Sequence, residues 1–251
     1  MIYYIGLALS AVIGVSLGLI GGGGSILTVP ILVYFLDVET HAAVGMSLAV
    51  VGATSLFGSY LHYKRGNVNF PAATVFGIAG IFGAFFGTPL TNLVAPAVLM
   101  LIFGGLMFVV AISMLWRRNH AERPAASEQI LWKAILAGFG VGVLTGFLGV
   151  GGGFLIVPAL VMFGGLAIKE AVGTSLFVIF LNCAAGLIGH ASRNYFDWSL
   201  TALVMSLAVG GAGLGVVLSH RLAANHLQKT FAVLVLAVSV FLFAKNYAIL
   251  F

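Results

Sequence analysis

The chain has 251 residues, 61% of them hydrophobic and only 7% charged, and its mean hydropathy is +1.18. A soluble domain carries about 25% charged residues, so this chain lacks the polar surface to face water and reads as an integral membrane protein. Its net charge of +5 is read for topology and not as a nucleic-acid signal, and its single cysteine, Cys183, excludes an internal disulfide framework or a cysteine-based metal site.

The first apolar segment, 2–20, lacks the basic start and small-residue cleavage signal of a secretory leader, so it is expected to stay in the mature protein. It runs into GLIGGGGSILTVP, Gly18 to Pro30, where Gly21, Gly22, Gly23 and Gly24 interrupt the apolar run. A short segment, 25–36, follows, then longer ones at 41–63, 70–90 and 96–116. The polar stretch RRNHAERPAASEQ begins at Arg117. Beyond it lie 131–148, a second break GFLGVGGGFLIVP from Gly146 to Pro158, and segments 153–163, 169–191, 198–218 and 227–248.

Sliding the chain by 128 positions superposes these halves without a gap: Pro30 meets Pro158, Ala43-Val44-Gly45 meets Ala171-Val172-Gly173, Ser47 meets Ser175, His62 meets His190 and Arg65 meets Arg193. Chance apolar similarity does not keep Pro, Ser, His and Arg in one frame. The expected organisation is all-α: a membrane repeat at 1–116, a polar cytoplasmic linker at 117–130 and a second repeat at 131–251.

A membrane helix needs about 20 residues to cross roughly 30 Å of hydrocarbon. The third, fourth and fifth segments of each half are long enough. The second, at about 12 residues, rises only about 18 Å. With the first it is expected to form a helical hairpin, or a broken helix, whose glycine tip lies inside the membrane, where irregular backbone survives only if protein or a watery cavity satisfies it. Five segments per repeat invert the second repeat relative to the first. Placing Lys64 and Arg65 in the cytoplasm then puts Arg117, Arg118, Arg123, Lys133, Lys169, Arg221 and Lys229 there too, with Arg193 and Lys245 opposite. The positive-inside rule favours this inverted arrangement over a parallel one.

Inverted repeats with broken helices at matching places are the sequence pointer to a secondary transporter. Each break frees backbone N–H groups at a helix N-terminus, which carries partial positive charge and suits an anion. Close helix packing is the alternative use of such glycines. Pro30 and Pro158 act on the backbone, each removing a helical hydrogen bond. The candidate substrate-binding residues are Gly21, Gly22, Gly23, Gly24, Ser25 and Thr28 at the first break, Gly149, Gly151, Gly152 and Gly153 at the second, and Ser47, Thr54, Ser175 and Asn182 at matched positions on the third segments. For each hydroxyl the alternative is a bond to backbone. His62 and His190 are candidates for gating or proton coupling, since histidine titrates near neutral pH; the alternative is an interfacial histidine bonded to a loop carbonyl. Tyr3, Tyr4, Trp116, Trp132 and Trp198 fit an aromatic belt. With no P-loop, HExxH or GxSxG motif, neither an ATP-driven pump nor an enzyme is expected, and no cofactor or metal is called for.

The doubled glycine pattern, with AVGMSL and AVGTSL in the third segments, resembles the TauE/SafE family of sulfite exporters over essentially the whole chain. The matching residues are Gly21, Gly23, Gly24, Pro30, Gly45 and Ser47, then Gly149, Gly151, Gly152, Pro158, Gly173 and Ser175. Gly22 departs from the repeat, since Val150 stands at its counterpart, so the two breaks are not equivalent. The resemblance implies a multi-pass inner-membrane transporter of small sulfur-containing anions such as sulfite or organosulfonates. The expected partners are that anion and the lipid bilayer, with a homo-oligomer left open and no nucleic acid. A non-transporting membrane scaffold and a passive anion channel are the rival readings.

Overall fold

The computed structural model describes residues 2–91, 96–116, 128–148, 153–190 and 197–246. Among these residues every regular element is a helix. The helices are α1 (Ile2–Ile20), α2 (Gly23–Tyr34), α3 (Thr40–Tyr63), α4 (Phe70–Thr91), α5 (Pro96–Trp116), α6 (Glu128–Leu148), α7 (Gly153–Met162), α8 (Ile168–His190), α9 (Trp198–Arg221) and α10 (Ala224–Asn246). An apolar chain with no water to solvate its backbone must bond each N–H and C=O internally, and helices do so within one segment. The boundaries follow the sequence reading closely. The larger shifts are at α2, which runs Gly23–Tyr34 where 25–36 was expected, at α6, which starts at Glu128 inside the expected linker, at the end of α9, Arg221 for 218, and at the start of α10, Ala224 for 227.

Among the described residues, α4, α8 and α9 are long and apolar enough to cross a membrane. Helices α3, α5 and α10 have 24, 21 and 23 residues, so they match the spanning length as well. By contrast α2 and α7 have 12 and 10 residues. Tyr4, Trp116, Trp132 and Trp198 all lie exposed near helix ends, and Phe82, Phe85 and Phe86 of α4 face outward.

Caps recur at the repeat spacing. Asn69 Oδ1 accepts from Ala72 N–H at 3.0 Å before α4, and Asp197 Oδ1 accepts from Leu200 N–H at 3.0 Å before α9. The two short helices end on left-handed residues, Asp37 (φ 54) after α2 and Gly165 (φ 65) after α7. Both ends are closed by the same reach-back bonds, Val38 N–H to Leu32 O at 3.0 Å and Leu166 N–H to Leu160 O at 3.2 Å.

The closest packing is glycine-lined. A Cβ built on Gly14 or Gly18 of α1 would run into the backbone of Ala208 or Ala212 on α9, and one on Gly211 or Gly215 would strike Ala11 or Val15 of α1. The seam between α4 and α6 repeats this: Gly142 abuts Gly80, and Gly83 abuts Phe139. Between apolar helices in lipid, attraction comes from van der Waals contact, which small residues maximise by letting backbones approach.

These contacts also fix helix directions. Along α1 and α9, and along α4 and α6, the numbers of facing residues rise together, so each pair is parallel. Helix α3 crosses α8 in the opposite sense, with Leu48 against Gly186, Gly52 against Cys183 and Gly58 against Leu176. Phe57 meets Gly213 and His62 meets His220, which makes α3 parallel to α9. Hence α1, α3 and α9 point one way and α4, α6 and α8 the other. A core of Ile13, Leu17, Phe76, Ile156, Leu160, Leu176 and Ile179 fills the centre.

Candidate functional site

Helix α1 stops where Gly21 takes φ +78, a left-handed conformation that disfavours any side chain. Its N–H still donates to Leu17 O at 2.8 Å, so the turn is a C-terminal cap of α1. Gly22 then serves as the N-cap of α2, with no side chain capping the helix. The chain folds straight back: a Cβ on Gly24 would strike Ile13 and Leu17, and one on Gly6 would strike Leu36. The hairpin of α1 and α2 is therefore closed tightly along its length, and Gly21, Gly22, Gly23 and Gly24 are all buried in protein. Pro30 and Pro158 lie within α2 and α7.

The N-terminal ends of α2 and α7 meet. A Cβ on Gly153 would lie 2.7 Å from Ser25 Oγ, 3.0 Å from Ile179 Cδ1 and 3.3 Å from Gly22 O. Gly153 and Ser25 are repeat-equivalent positions, and Ile179 stands midway along α8. Two positive helix ends thus converge near the middle of the bundle.

Four of the candidate hydroxyls bond backbone. Ser25 Oγ donates to Gly22 O at 2.7 Å, Thr28 Oγ1 to Gly24 O at 3.0 Å and Thr54 Oγ1 to Val50 O at 2.6 Å. Ser175 Oγ lies 2.8 Å from both Gly21 O and Val172 O, tying α8 to the first turn. With their protons engaged, these hydroxyls leave donation at the break to backbone N–H groups. Ser47 is buried on α3. Asn182 is drawn away from the break: its amide lies beside Gly80 of α4, and its Oδ1 is buried without a partner. Gly149, Gly151 and Gly152 lie outside the described residues, as does the side chain of His190.

His62 is almost fully buried, and its Nε2 lies 3.1 Å from Gly18 O of α1. Its ring faces His220 at the end of α9, 5.3 Å between centroids. Around them the α3–α4 turn meets α8 and α9. Asn69 N–H donates to Thr174 Oγ1 at 2.9 Å and Asn69 Nδ2 to Glu170 Oε1 at 3.1 Å. Lys169 Nζ donates to His220 O at 3.3 Å, a cation at a helix C-terminus. Sequence reasoning missed His220 because the repeat was its guide, and the counterpart of His220 is Asn92.

Residues 6–242 match the model of the sulfite exporter TauE/SafE family. The chain belongs to this family. It is 33% identical over 242 residues to a probable membrane transporter protein of Xylella fastidiosa, covering 94% of this chain and 93% of the relative. It is 31% identical over 207 residues to the probable membrane transporter protein YdhB of Bacillus subtilis, covering 81% and 84%. A probable membrane transporter protein of Methanocaldococcus jannaschii is 31% identical over 232 residues, covering 86% of each chain. No solved structure matches. This TauE/SafE protein is a membrane transporter and not an enzyme.

Proposed function

We propose that this TauE/SafE protein is a secondary transporter, a permease or exporter, of small sulfur-containing anions such as sulfite or organosulfonates. It sits in the inner membrane as a multi-pass protein. The observation that carries the reading is the meeting of the α2 and α7 N-termini at Ser25 and Gly153. The two helix N-termini bring positive dipole ends together without an embedded Lys or Arg, which avoids holding a full charge in the membrane. The hydroxyl protons at Ser25, Thr28 and Thr54 are engaged elsewhere. The anion is therefore held by backbone, with the glycines allowing close approach.

The opposed directions of α1, α3, α9 and α4, α6, α8 support two inverted repeats. A pseudo-two-fold axis then passes between Ser25 and Gly153, which are equivalent under it, and alternating access follows as rocking of one repeat against the other around a fixed site. Cysteine labelling of Lys64→Cys and Lys229→Cys is expected to find both on the cytoplasmic face; opposite faces would refute the inversion.

The direct test is thermal stabilisation of the purified protein by sulfite, thiosulfate, sulfoacetate, taurine, sulfate and chloride. A ligand at about 100 times its dissociation constant adds about 2.7 kcal/mol to the folded state. At least one sulfur anion is expected to raise the melting temperature, and Gly153→Val, whose side chain would push Ser25 and Ile179 apart where the helix ends meet, is expected to remove that shift. No shift, together with no flux of any of these anions into proteoliposomes, would sink the transporter reading of this site in favour of the scaffold. Flux far above carrier rates and indifferent to a proton gradient would mark a passive anion channel.

A further inference from the structure

The end of the bundle where α3 and α9 finish holds two buried ring nitrogens with no partner, His62 Nδ1 and His220 Nε2. Their roles follow from what the other nitrogens bond. Gly18 O can only accept, so His62 Nε2 carries the hydrogen and Nδ1 of the neutral ring is a bare lone pair. The Asn67 Nδ2 amide donates to His220 Nδ1 at 3.5 Å, so His220 carries its hydrogen on Nε2. One ring therefore offers an acceptor without a donor and the other a donor without an acceptor, with 5.3 Å between centroids. Buried polar groups left unpaired in this way are costly and rare.

We infer that His62 and His220 form the proton site of the transporter, a pair that takes up one proton at His62 Nδ1 and thereby binds the oxyanion entering or leaving at this end. The inference rests on the transporter reading above and adds the coupling ion and its location. In the neutral pair, a protic group such as water or hydrogensulfite completes the geometry by accepting from His220 Nε2 and donating to His62 Nδ1. Transfer of that proton to His62 leaves an imidazolium and an anion, and both rings then donate to the anion.

The surrounding charges favour an anion. Arg65 lies in the turn after α3, and Lys169 Nζ of α8 donates to the His220 carbonyl. Glu170 of α8, the acid in this cluster, is engaged by Asn69. Helix α1 presents only the uncharged Gly18 carbonyl, and Arg221 follows His220 on α9. The pair is also wired to the hairpin. Gly18, which His62 grips, lies one turn before the Gly21 cap and packs directly on Ala212 of α9. A proton that reorients His62 therefore acts on α1 and α9 at the seam that leads to the glycine turn.

The test uses the full-length protein in proteoliposomes, with sulfite as the probe and a trapped pH dye. Wild type is expected to take up about one proton per sulfite and to speed up as the outside is acidified. In His62→Gln, whose amide still has a donor for Gly18 O, and in His220→Gln, the proton-to-sulfite ratio is expected to collapse and the pH profile to flatten, whatever the absolute flux. Either variant keeping the wild-type ratio and profile would overturn the proposal. Nitrogen-15 NMR of histidine-labelled protein in nanodiscs, with no anion present, reads the pair independently of any substrate. Coupled titration, in which His220→Gln moves the His62 curve, supports the pair even if sulfite proves to be the wrong anion, whereas independent curves refute it even if sulfite moves.

Discussion

Gly142→Ala adds one methyl group at the seam between α4 and α6. The new Cβ would fall inside contact distance of Gly80 O and 2.8 Å from Gly80 C and Cα, all backbone atoms that no rotamer change can move. Carbon atoms at rest sit about 3.5–4.0 Å apart, so the two helices must separate by about 1 Å. A gap of about 0.5–1 Å forfeits a quarter to a half of the dispersion well for the atoms along the seam, and overpacking of this kind costs about 1–3 kcal/mol. Gly140→Ala on the same helix is the control: its Cβ would meet nothing within 4 Å, so it keeps the better helix propensity of alanine, up to about 1 kcal/mol. The two single-methyl variants should therefore differ by about 3 kcal/mol, or about 10 °C in melting temperature for a chain of this size. Thermal unfolding in detergent, followed by fluorescence, measures the difference. Equal melting temperatures for Gly142→Ala and Gly140→Ala would refute the close-packed seam and, with it, the parallel pairing of α4 and α6.

Two further outcomes follow from the local geometry. At the ends of the short helices, Gly165→Ala places a side chain at φ 65 and should cost about 1–2 kcal/mol; the reverse change at the matching position, Asp37→Gly, should be neutral or stabilising, and a melting-temperature loss there would show that Asp37 is held by more than its backbone. At the helix starts, Asn69→Ala should cost more than Asp197→Ala. Either change removes a cap worth about 1 kcal/mol, but only Asn69 also bonds Glu170; equal losses in denaturation would mean that the Glu170 contact contributes nothing.

The helices were legible because their signal is local. Apolar runs bounded by Gly, Pro and polar residues gave α1 and α5 to the residue and placed the short α2 and α7 between longer neighbours. The start of α2 was misplaced by two residues because Gly23 and Gly24 have poor helix propensity; they are helical because a side chain at Gly24 would prevent α2 from closing onto Ile13 and Leu17. The extension of α6 back to Glu128 lies in a polar stretch where hydropathy carries no boundary signal. At the candidate site, the matched positions Ser25 and Gly153 come together. Asn182 was grouped with Thr54 by the repeat offset, yet its side chain faces α4, because a shared sequence frame does not fix which neighbour a side chain meets.

From the residues alone follow the membrane class, the ten apolar segments, the doubled glycine break and the family resemblance, all properties of composition and spacing along the chain. Only the tertiary structure decided which glycines are contact seams and which form the turn, that Ser25 and Ser175 bond backbone, and that His62 faces His220. Those outcomes depend on which faces meet across more than a hundred residues of sequence, from His62 to His220 and from Gly21 to Ser175. Between helices that are apolar all round, hydropathy does not choose a face; backbone-to-backbone shape does.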